Sequence, residues 1–161
     1  MDLLDYALTM EEDLIVLYRE QAKLHKENSL HTIFTLLENE EKKHAQILQS
    51  HADKIVLPEK DSKILEEATT LINSMEDFKL DIKDIPSQLE VYRIALGKEE
   101  ESYNIYKELI DHSTNEQSKK VFGYLKDQEE KHRIILEELV KRVSRPEEWV
   151  ESAEFGLREE Y

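Results

Sequence analysis

The sequence of 161 residues contains no cysteine, which excludes disulfides, thiolate catalysis, Cys-ligated zinc and iron–sulfur centres from this chain. It also has only 3 glycines and 3 prolines. Because a β-sandwich needs many turns, and these residues form a large share of turns, such a fold is not expected. Glutamate, lysine and leucine are abundant instead, so the composition favours long helices.

Basic residues are also few, since 22 Lys and Arg against 37 Asp and Glu give a formal net charge of −15. A field of that sign repels phosphate backbones, so we expect no nucleic-acid partner. No apolar run approaches the roughly 18 residues of a membrane span, and residues 1–5 lack the pattern of a signal peptide. The sequence therefore predicts a cytoplasmic protein with no membrane partner.

The chain repeats itself at an offset of 88 residues, which predicts two related halves. Positions 7–48 align with positions 95–136 without a gap, and 13 of these 42 positions are identical. Glutamate and lysine match by chance in helical sequences, whereas aromatic residues and histidine rarely match in one register. The matches of that rarer kind pair Tyr18 with Tyr106, Phe34 with Phe122, and His44 with His132.

Apolar residues recur at helical spacing in both halves, and each half is interpreted as a hairpin of two helices. The second helix is expected to begin near Asn28 and the fourth near Asn115. The third is expected to begin with a capping box at Ser87, directly after Pro86. Because the joint within each hairpin is short, its two helices are expected to be antiparallel neighbours.

A crossover of about residues 52–86 separates the two hairpins and contains one further amphipathic segment. Long crossovers distinguish ferritin-like bundles from simple up-down bundles. We therefore predict an all-α fold, a ferritin-like four-helix bundle of two helical hairpins with a long crossover, over residues 1–142. Residues 143–161 are expected to form a short, separate C-terminal helix after Pro146, with Trp149 on its apolar side.

Six ionisable residues interrupt the apolar helix faces, where the core is expected: Glu11, Glu41, His44, Glu99, Glu129 and His132. Burying an unpaired carboxylate costs several kcal/mol, and four of them would defeat a domain of ordinary stability unless cations compensate their charge. The two histidines each belong to a Glu-x-x-His motif, whose i,i+3 spacing points both side chains the same way. Four carboxylates and two imidazoles suit a pair of iron or manganese ions.

These motifs resemble those of the ferritin-like di-iron carboxylate superfamily, and within it the rubrerythrin branch, over residues 1–140. The resemblance is carried by Glu11-x6-Tyr18, by Phe34-x-x-Leu37-x3-Glu41-x-x-His44, and by their repeats at Glu99 to Tyr106 and Phe122 to His132. It implies a centre of two iron ions, with manganese or a mixed pair as the alternative.

The resemblance also implies a role for each residue of the centre. Glu41 and Glu129 would bridge the two metals, while Glu11 and Glu99 would be terminal carboxylates. His44 and His132 would each hold one iron. Tyr18 and Tyr106 would hydrogen-bond carboxylate ligands from behind.

Two departures from the rubrerythrin pattern bear on activity. Rubrerythrins of the peroxidase type carry an extra carboxylate one turn after the third-helix Glu, and Ser102 occupies that position here. They also usually carry a rubredoxin module with four cysteines, and this chain has none. We therefore expect a six-ligand centre whose electrons come from an external donor protein such as a rubredoxin.

The resemblance implies an oxidoreductase that acts in oxidative stress and reduces hydrogen peroxide or dioxygen at a non-haem di-iron centre. It also implies a homodimer. One alternative is a ferroxidase that takes ferrous ion as its substrate and handles iron. A third alternative is an acidic helical bundle that binds no catalytic metal, since an isolated Glu-x-x-His usually lies on a solvated face. It is less favoured because this chain has two such motifs in the same register of the repeat.

The register of the ligands is itself a choice, because other glutamates adjoin the chosen ones: Glu12, Glu40, Glu100, Glu101 and Glu130. The faces around Glu12 and Glu101 are polar, which favours Glu11 and Glu99. Glu38 is expected to be solvated or to lie behind the ligands. The remaining histidines, including His25, are expected at the surface or near helix ends.

Overall fold

The computed structural model describes residues 2–50, 54–75 and 84–159, with side chains as far as Ser144. These residues form five helices: α1 (Leu3–Leu24), α2 (Ser29–Gln49), α3 (Ile64–Ser74), α4 (Ile85–His112) and α5 (Glu116–Glu159). Helices α1, α2, α4 and α5 are the long ones, and α3 lies within the crossover. The predicted all-α fold is confirmed.

The long helices pair as two hairpins, α1 with α2 and α4 with α5, and α1 also packs against α4. Short polar side chains cap the helix starts. Asn28 accepts a hydrogen bond of 2.9 Å from the backbone N–H of Leu30, and Asn115 accepts one of 2.9 Å from Ser118. Both caps lie where the sequence predicts helix starts, because Asn satisfies an otherwise unpaired N–H of the first turn.

Helix α4 begins earlier than predicted, with Asp84 rather than Ser87 as its N-cap. The Asp84 carboxylate accepts a hydrogen bond of 3.3 Å from the backbone N–H of Ser87. Pro86 lies inside the first turn, where a missing N–H costs nothing because that group has no intrahelical partner. The proline is therefore part of the helix start and not a boundary before it.

The C-terminal segment is helical, as predicted, but it continues α5 and is not separated from it. Helix α5 runs for 44 residues through Pro146 to Glu159. A proline removes one backbone hydrogen bond from a helix interior, and the residues on both sides of Pro146 are mostly good helix formers. The side chain of Trp149, predicted to lie on an apolar side, is outside the described residues.

Two apolar clusters fill the bundle, one toward each end, with a charged layer between them. The larger cluster includes Leu14, Phe34 and Tyr92 and receives Ala68 and Ile72 from α3. The smaller contains the following buried residues: Ala7, Met10, Ile105, Tyr106, Leu109, Val121, Phe122 and Leu125. The six ionisable residues identified in the sequence lie on the helix turns between the two clusters, so each end of the charged layer is sealed by apolar side chains.

Among the described residues, no helix is both long enough and apolar enough to span a membrane.

Candidate metal centre

The structure brings the six predicted ligand residues together in the middle of the bundle. One comes from α1 and one from α4, while α2 and α5 each supply a Glu-x-x-His pair: Glu11, Glu99, Glu41 with His44, and Glu129 with His132. The four glutamates and His132 are 0% exposed, and His44 is 2% exposed. The adjoining Glu12, Glu100 and Glu101 are exposed, as the predicted register requires.

The six side chains form two overlapping groups of possible ligands. One group comprises Glu11, Glu41, His44 and Glu129, and the other comprises Glu41, Glu99, Glu129 and His132. Within each group the ligand atoms lie within 4.8 Å of one another. Because Glu41 and Glu129 belong to both groups, the arrangement can hold two adjacent cations that share two carboxylates.

Both imidazole rings direct Nδ1 toward the carboxylates. His44 Nδ1 lies 2.7 Å from Glu129 Oε1 and 3.6 Å from Glu11 Oε2. His132 Nδ1 lies closest to Glu41 Oε1 and 3.4 Å from Glu99 Oε1. The two rings are nearly parallel, with centroids 5.5 Å apart. Nδ1 is therefore the nitrogen that each histidine offers to a metal, and Nε2 is left for contacts behind the centre.

The ligand atoms are buried, and their close contacts with one another lack hydrogen-bond geometry, which is the condition that a bound cation would relieve. Such atoms include both carboxylate oxygens of Glu41 and Glu129, one oxygen each of Glu11 and Glu99, and Nδ1 of both histidines. Unpaired buried polar groups are rare in proteins because each loses its hydration without replacement. Carboxylate oxygen with imidazole nitrogen is a donor set suited to iron or manganese, so the residues present fit two such ions.

Two tyrosines take up the remaining oxygens of the outer glutamates. The hydroxyl of Tyr18 donates a hydrogen bond of 2.6 Å to Glu99 Oε1, and that of Tyr106 donates one of 2.7 Å to Glu11 Oε1. Burial raises the pKa of both phenols well above the usual value, and nearby carboxylates raise it further. Both hydroxyls therefore stay protonated and act as donors at neutral pH.

Protons balance part of the buried charge when no cation is bound. Burial raises the pKa of Glu129, and the charge of Glu41 raises it further. Burial opposes charge on His44, yet its contacts with Glu129 and Glu41 raise its pKa to about 10. Burial also opposes charge on Glu41, but attraction to His132 prevails and lowers its pKa to about 2. Because metal ligands must be deprotonated, metal binding at this centre would release protons.

Glu40 contacts the centre, although the sequence pattern does not single it out from the other adjoining glutamates. Its Oε1 lies 2.7 Å from His132 Nε2, and its other oxygen accepts a hydrogen bond from the hydroxyl of Ser62 in the crossover. The contact joins α2 to α5, so no spacing along one helix could have revealed it. Glu38, by contrast, lies outside the cluster and pairs with Arg19 and Lys42.

Two further buried residues lie outside the predicted centre, and the burial of one of them, His25, was not expected. His25, expected at the surface, is 4% exposed and stacks on Phe34 with ring centroids 6.0 Å apart. Its position at the end of α1 lies over the larger apolar cluster, which explains the burial. Ser102 is 1% exposed, and its hydroxyl has no hydrogen-bond partner in the described part of the chain.

The chain is similar to a known protein family over most of its length. The rubrerythrin family model matches residues 2–140, a range that contains all six clustered residues and both tyrosines. Searches of curated proteins and of solved structures found no match. Since the family model covers most of the chain, this protein belongs to the rubrerythrin family.

Proposed function

We propose that this protein is a non-haem di-iron oxidoreductase, which reduces hydrogen peroxide or dioxygen with electrons from a donor outside the chain. The observation that carries the proposal is the pair of overlapping ligand groups, fully buried and sharing Glu41 and Glu129. Membership of the rubrerythrin family supports iron as the metal. When bound, two ferrous ions supply the electrons for reduction of the oxidant.

The protein's own contribution is to position the ligands and to keep water out. Glu11 and Glu99 are each fixed by a tyrosine hydroxyl, so one oxygen of each remains directed at the centre. The apolar clusters above and below the charged layer exclude bulk water and strengthen its electrostatic interactions. A fixed and dry ligand set is what redox chemistry at a metal pair needs from its protein.

A cavity on the crossover side gives a small oxidant a way toward the centre. Its volume is about 380 Å³, and His44, Glu40, Tyr124, Ser62 and Pro58 are among the residues that line it. His44 belongs both to this lining and to one of the two ligand groups. The opening therefore approaches the centre from the side of the His44 group, and a molecule the size of peroxide fits it easily.

The electron donor is proposed to be a separate small redox protein such as a rubredoxin. Without cysteine the chain can hold no Cys-ligated iron of its own. A homodimer is proposed as the assembly in which the centre works.

Rapid mixing after anaerobic reconstitution tests this function. The protein is loaded with two ferrous ions per chain and mixed separately with hydrogen peroxide and with dioxygen. We expect at least one oxidant to oxidise the centre faster than it oxidises free ferrous ion, and reduced rubredoxin to restore the ferrous state. A matched control is the His44→Ala/His132→Ala double variant, which should lose this acceleration. If neither oxidant reacts faster than with free ferrous ion, the proposal is wrong.

Iron handling is the second candidate, and the formal charge of −15 favours it because an acidic protein attracts ferrous ions. In that case ferrous ion is the substrate, and the chain oxidises many ions per centre in excess iron and air. An assembly of 24 chains would accompany this activity, whereas a dimer would accompany the oxidoreductase. Size-exclusion chromatography with light scattering, together with iron counted per chain, separates the two candidates.

A further inference from the structure

We propose that Glu40 is a positioning residue for His132 and makes the two metal positions of the centre unequal in affinity. This inference rests on the proposed metal centre and adds to it an outer carboxylate that belongs to only one of the two positions.

The contact between Glu40 and His132 fixes which nitrogen faces the metal. Glu40 Oε1 lies 2.7 Å from His132 Nε2, a hydrogen-bonding distance. When Nε2 donates its proton to that carboxylate, the lone pair of Nδ1 is free and points toward Glu41 and Glu99. A carboxylate behind a metal-bound imidazole holds the ring in place and makes its ligand nitrogen more basic.

Glu40 is itself held in place by the crossover. The hydroxyl of Ser62 donates to Glu40 Oε2, and the Ser62 carbonyl accepts a hydrogen bond of 2.9 Å from Lys131 on α5. Lys131 also pairs with Asp61 at 2.6 Å. The segment of Asp61 and Ser62 is therefore tied to both α2 and α5, and it keeps the Glu40 carboxylate against the imidazole.

The other half of the repeat has no such carboxylate. The offset of 88 residues places Gln128 at the position equivalent to Glu40. Gln128 uses its side-chain nitrogen to donate a hydrogen bond of 3.0 Å to Asp61. No side chain in residues 2–50, 54–75 and 84–144 forms a hydrogen bond with Nε2 of His44, which borders the open cavity instead. The two imidazoles therefore make equivalent contacts through Nδ1, on the side of the metals, and different contacts through Nε2, on the opposite side.

The affinity difference follows from this asymmetry. In the ligand group that contains His132, a carboxylate outside the group hydrogen-bonds the imidazole. In the group that contains Glu11 and His44, the imidazole has no such carboxylate among the described residues. Outer partners of metal-bound histidine typically change metal affinity by about 10- to 100-fold. We expect the His132 position to fill first and the His44 position to fill second as metal is added.

A metal titration on single-position backgrounds tests the assignment. Anaerobic titration with cobalt(II), followed by its visible absorbance, is made on His44→Ala and His132→Ala, each with and without Glu40→Gln. In His44→Ala, which keeps the His132 position, we expect Glu40→Gln to weaken binding by about 10- to 100-fold. In His132→Ala we expect Glu40→Gln to leave the affinity unchanged. Glu67→Gln is the control, because it removes the same charge from the same cavity at an exposed site.

A second variant keeps the test decisive if Glu40→Gln does not fold. Ser62→Ala retains the Glu40 carboxylate but removes the hydroxyl that holds it. We expect a smaller loss of cobalt affinity at the His132 position, and this variant then tests the role of Glu40 by itself. Equal losses at both positions, or an effect no larger than that of Glu67→Gln, would overturn the role of Glu40 and leave the metal centre standing. If the unaltered protein binds no cobalt, the metal centre and this inference fail together.

Discussion

The hydroxyl of Tyr18 on α1 donates a hydrogen bond of 2.6 Å to Glu99 Oε1 on α4, so that a residue of the first hairpin fixes a carboxylate of the second. Tyr106 and Glu11 repeat the contact in the opposite direction at 2.7 Å. Each tyrosine lies seven residues after the Glu of its own helix but bonds the Glu of the other. A tyrosine of each hairpin therefore hydrogen-bonds a glutamate of the other hairpin at the centre.

Tyr18→Phe is expected to lower both stability and metal affinity. It leaves Glu99 Oε1 buried without a donor, and hydrogen bonds to charged groups contribute about 1.5–3 kcal/mol. We expect the free energy of unfolding of the metal-free protein to fall by about that amount, as measured by denaturant titration. Cobalt affinity, measured in parallel, should fall as well, because Glu99 is no longer held toward the centre.

Tyr92→Phe is the matched control for that experiment. Tyr92 is also fully buried, but its hydroxyl has no hydrogen-bond partner in the described residues. Removing an unpaired buried hydroxyl is expected to be neutral or stabilising. If Tyr18→Phe and Tyr92→Phe changed stability and cobalt affinity equally, the bond to Glu99 would contribute nothing.

Glu129→Gln is expected to spare the metal-free protein and to remove its stabilisation by metal. Burial and the charge of Glu41 raise the pKa of Glu129, so the fold tolerates a neutral amide at this position better than a charged carboxylate. We expect a change in unfolding free energy below about 1 kcal/mol without metal. With metal at 100 times its Kd, each filled site of the unaltered protein adds about 2.7 kcal/mol.

The measurement is the rise of Tm on addition of manganese(II), recorded by calorimetry. Glu130→Gln serves as the control, because Glu130 pairs with Arg133 on the outer side of the same helix. We expect the control to keep the full rise in Tm and Glu129→Gln to lose most of it. An undiminished rise in Glu129→Gln would show that this carboxylate is not shared by two metals.

The equivalent phenylalanines of the two halves are expected to differ in their contribution to stability. Phe34 contacts the rings of Tyr18, His25 and Tyr92, with centroids 5.8–6.0 Å away. Phe122 has no aromatic ring contact among the described residues. Aromatic pairs add about 0.5–1.5 kcal/mol beyond the burial of area. We therefore expect Phe34→Leu to destabilise more than Phe122→Leu in denaturant titrations, and equal losses would contradict the role of the aromatic cluster.

The fold and the clustered residues were predictable because both leave a periodic trace in the sequence. Glu11 and Glu99 interrupt apolar stripes at the same register of the repeat, and burial of both follows from helix geometry. The paired Glu-x-x-His motifs are local in the same way. Four helices that each present one or two ionisable positions to the interior must bring those positions together, so the centre follows from the fold.

The features that were missed depend on contacts between distant segments. Glu40 reaches His132 from another helix and is held by Ser62, 22 residues away in the crossover. Nothing in the sequence pattern of α2 indicates that this glutamate contacts another helix. The start of α4 at Asp84 differs from the predicted start at Ser87 for a local reason, because proline fits the first helical turn and does not mark a boundary before it.

Anomalous scattering from crystals grown anaerobically with ferrous ion would locate the metals of the proposed centre. We predict two peaks at the iron absorption edge in each chain, one among Glu11, Glu41, His44 and Glu129, and the other among Glu41, Glu99, Glu129 and His132. Both peaks should be absent in the His44→Ala/His132→Ala variant. Iron found only elsewhere on the chain, or no iron at all in this layer of the bundle, would show that these residues do not form a di-iron centre.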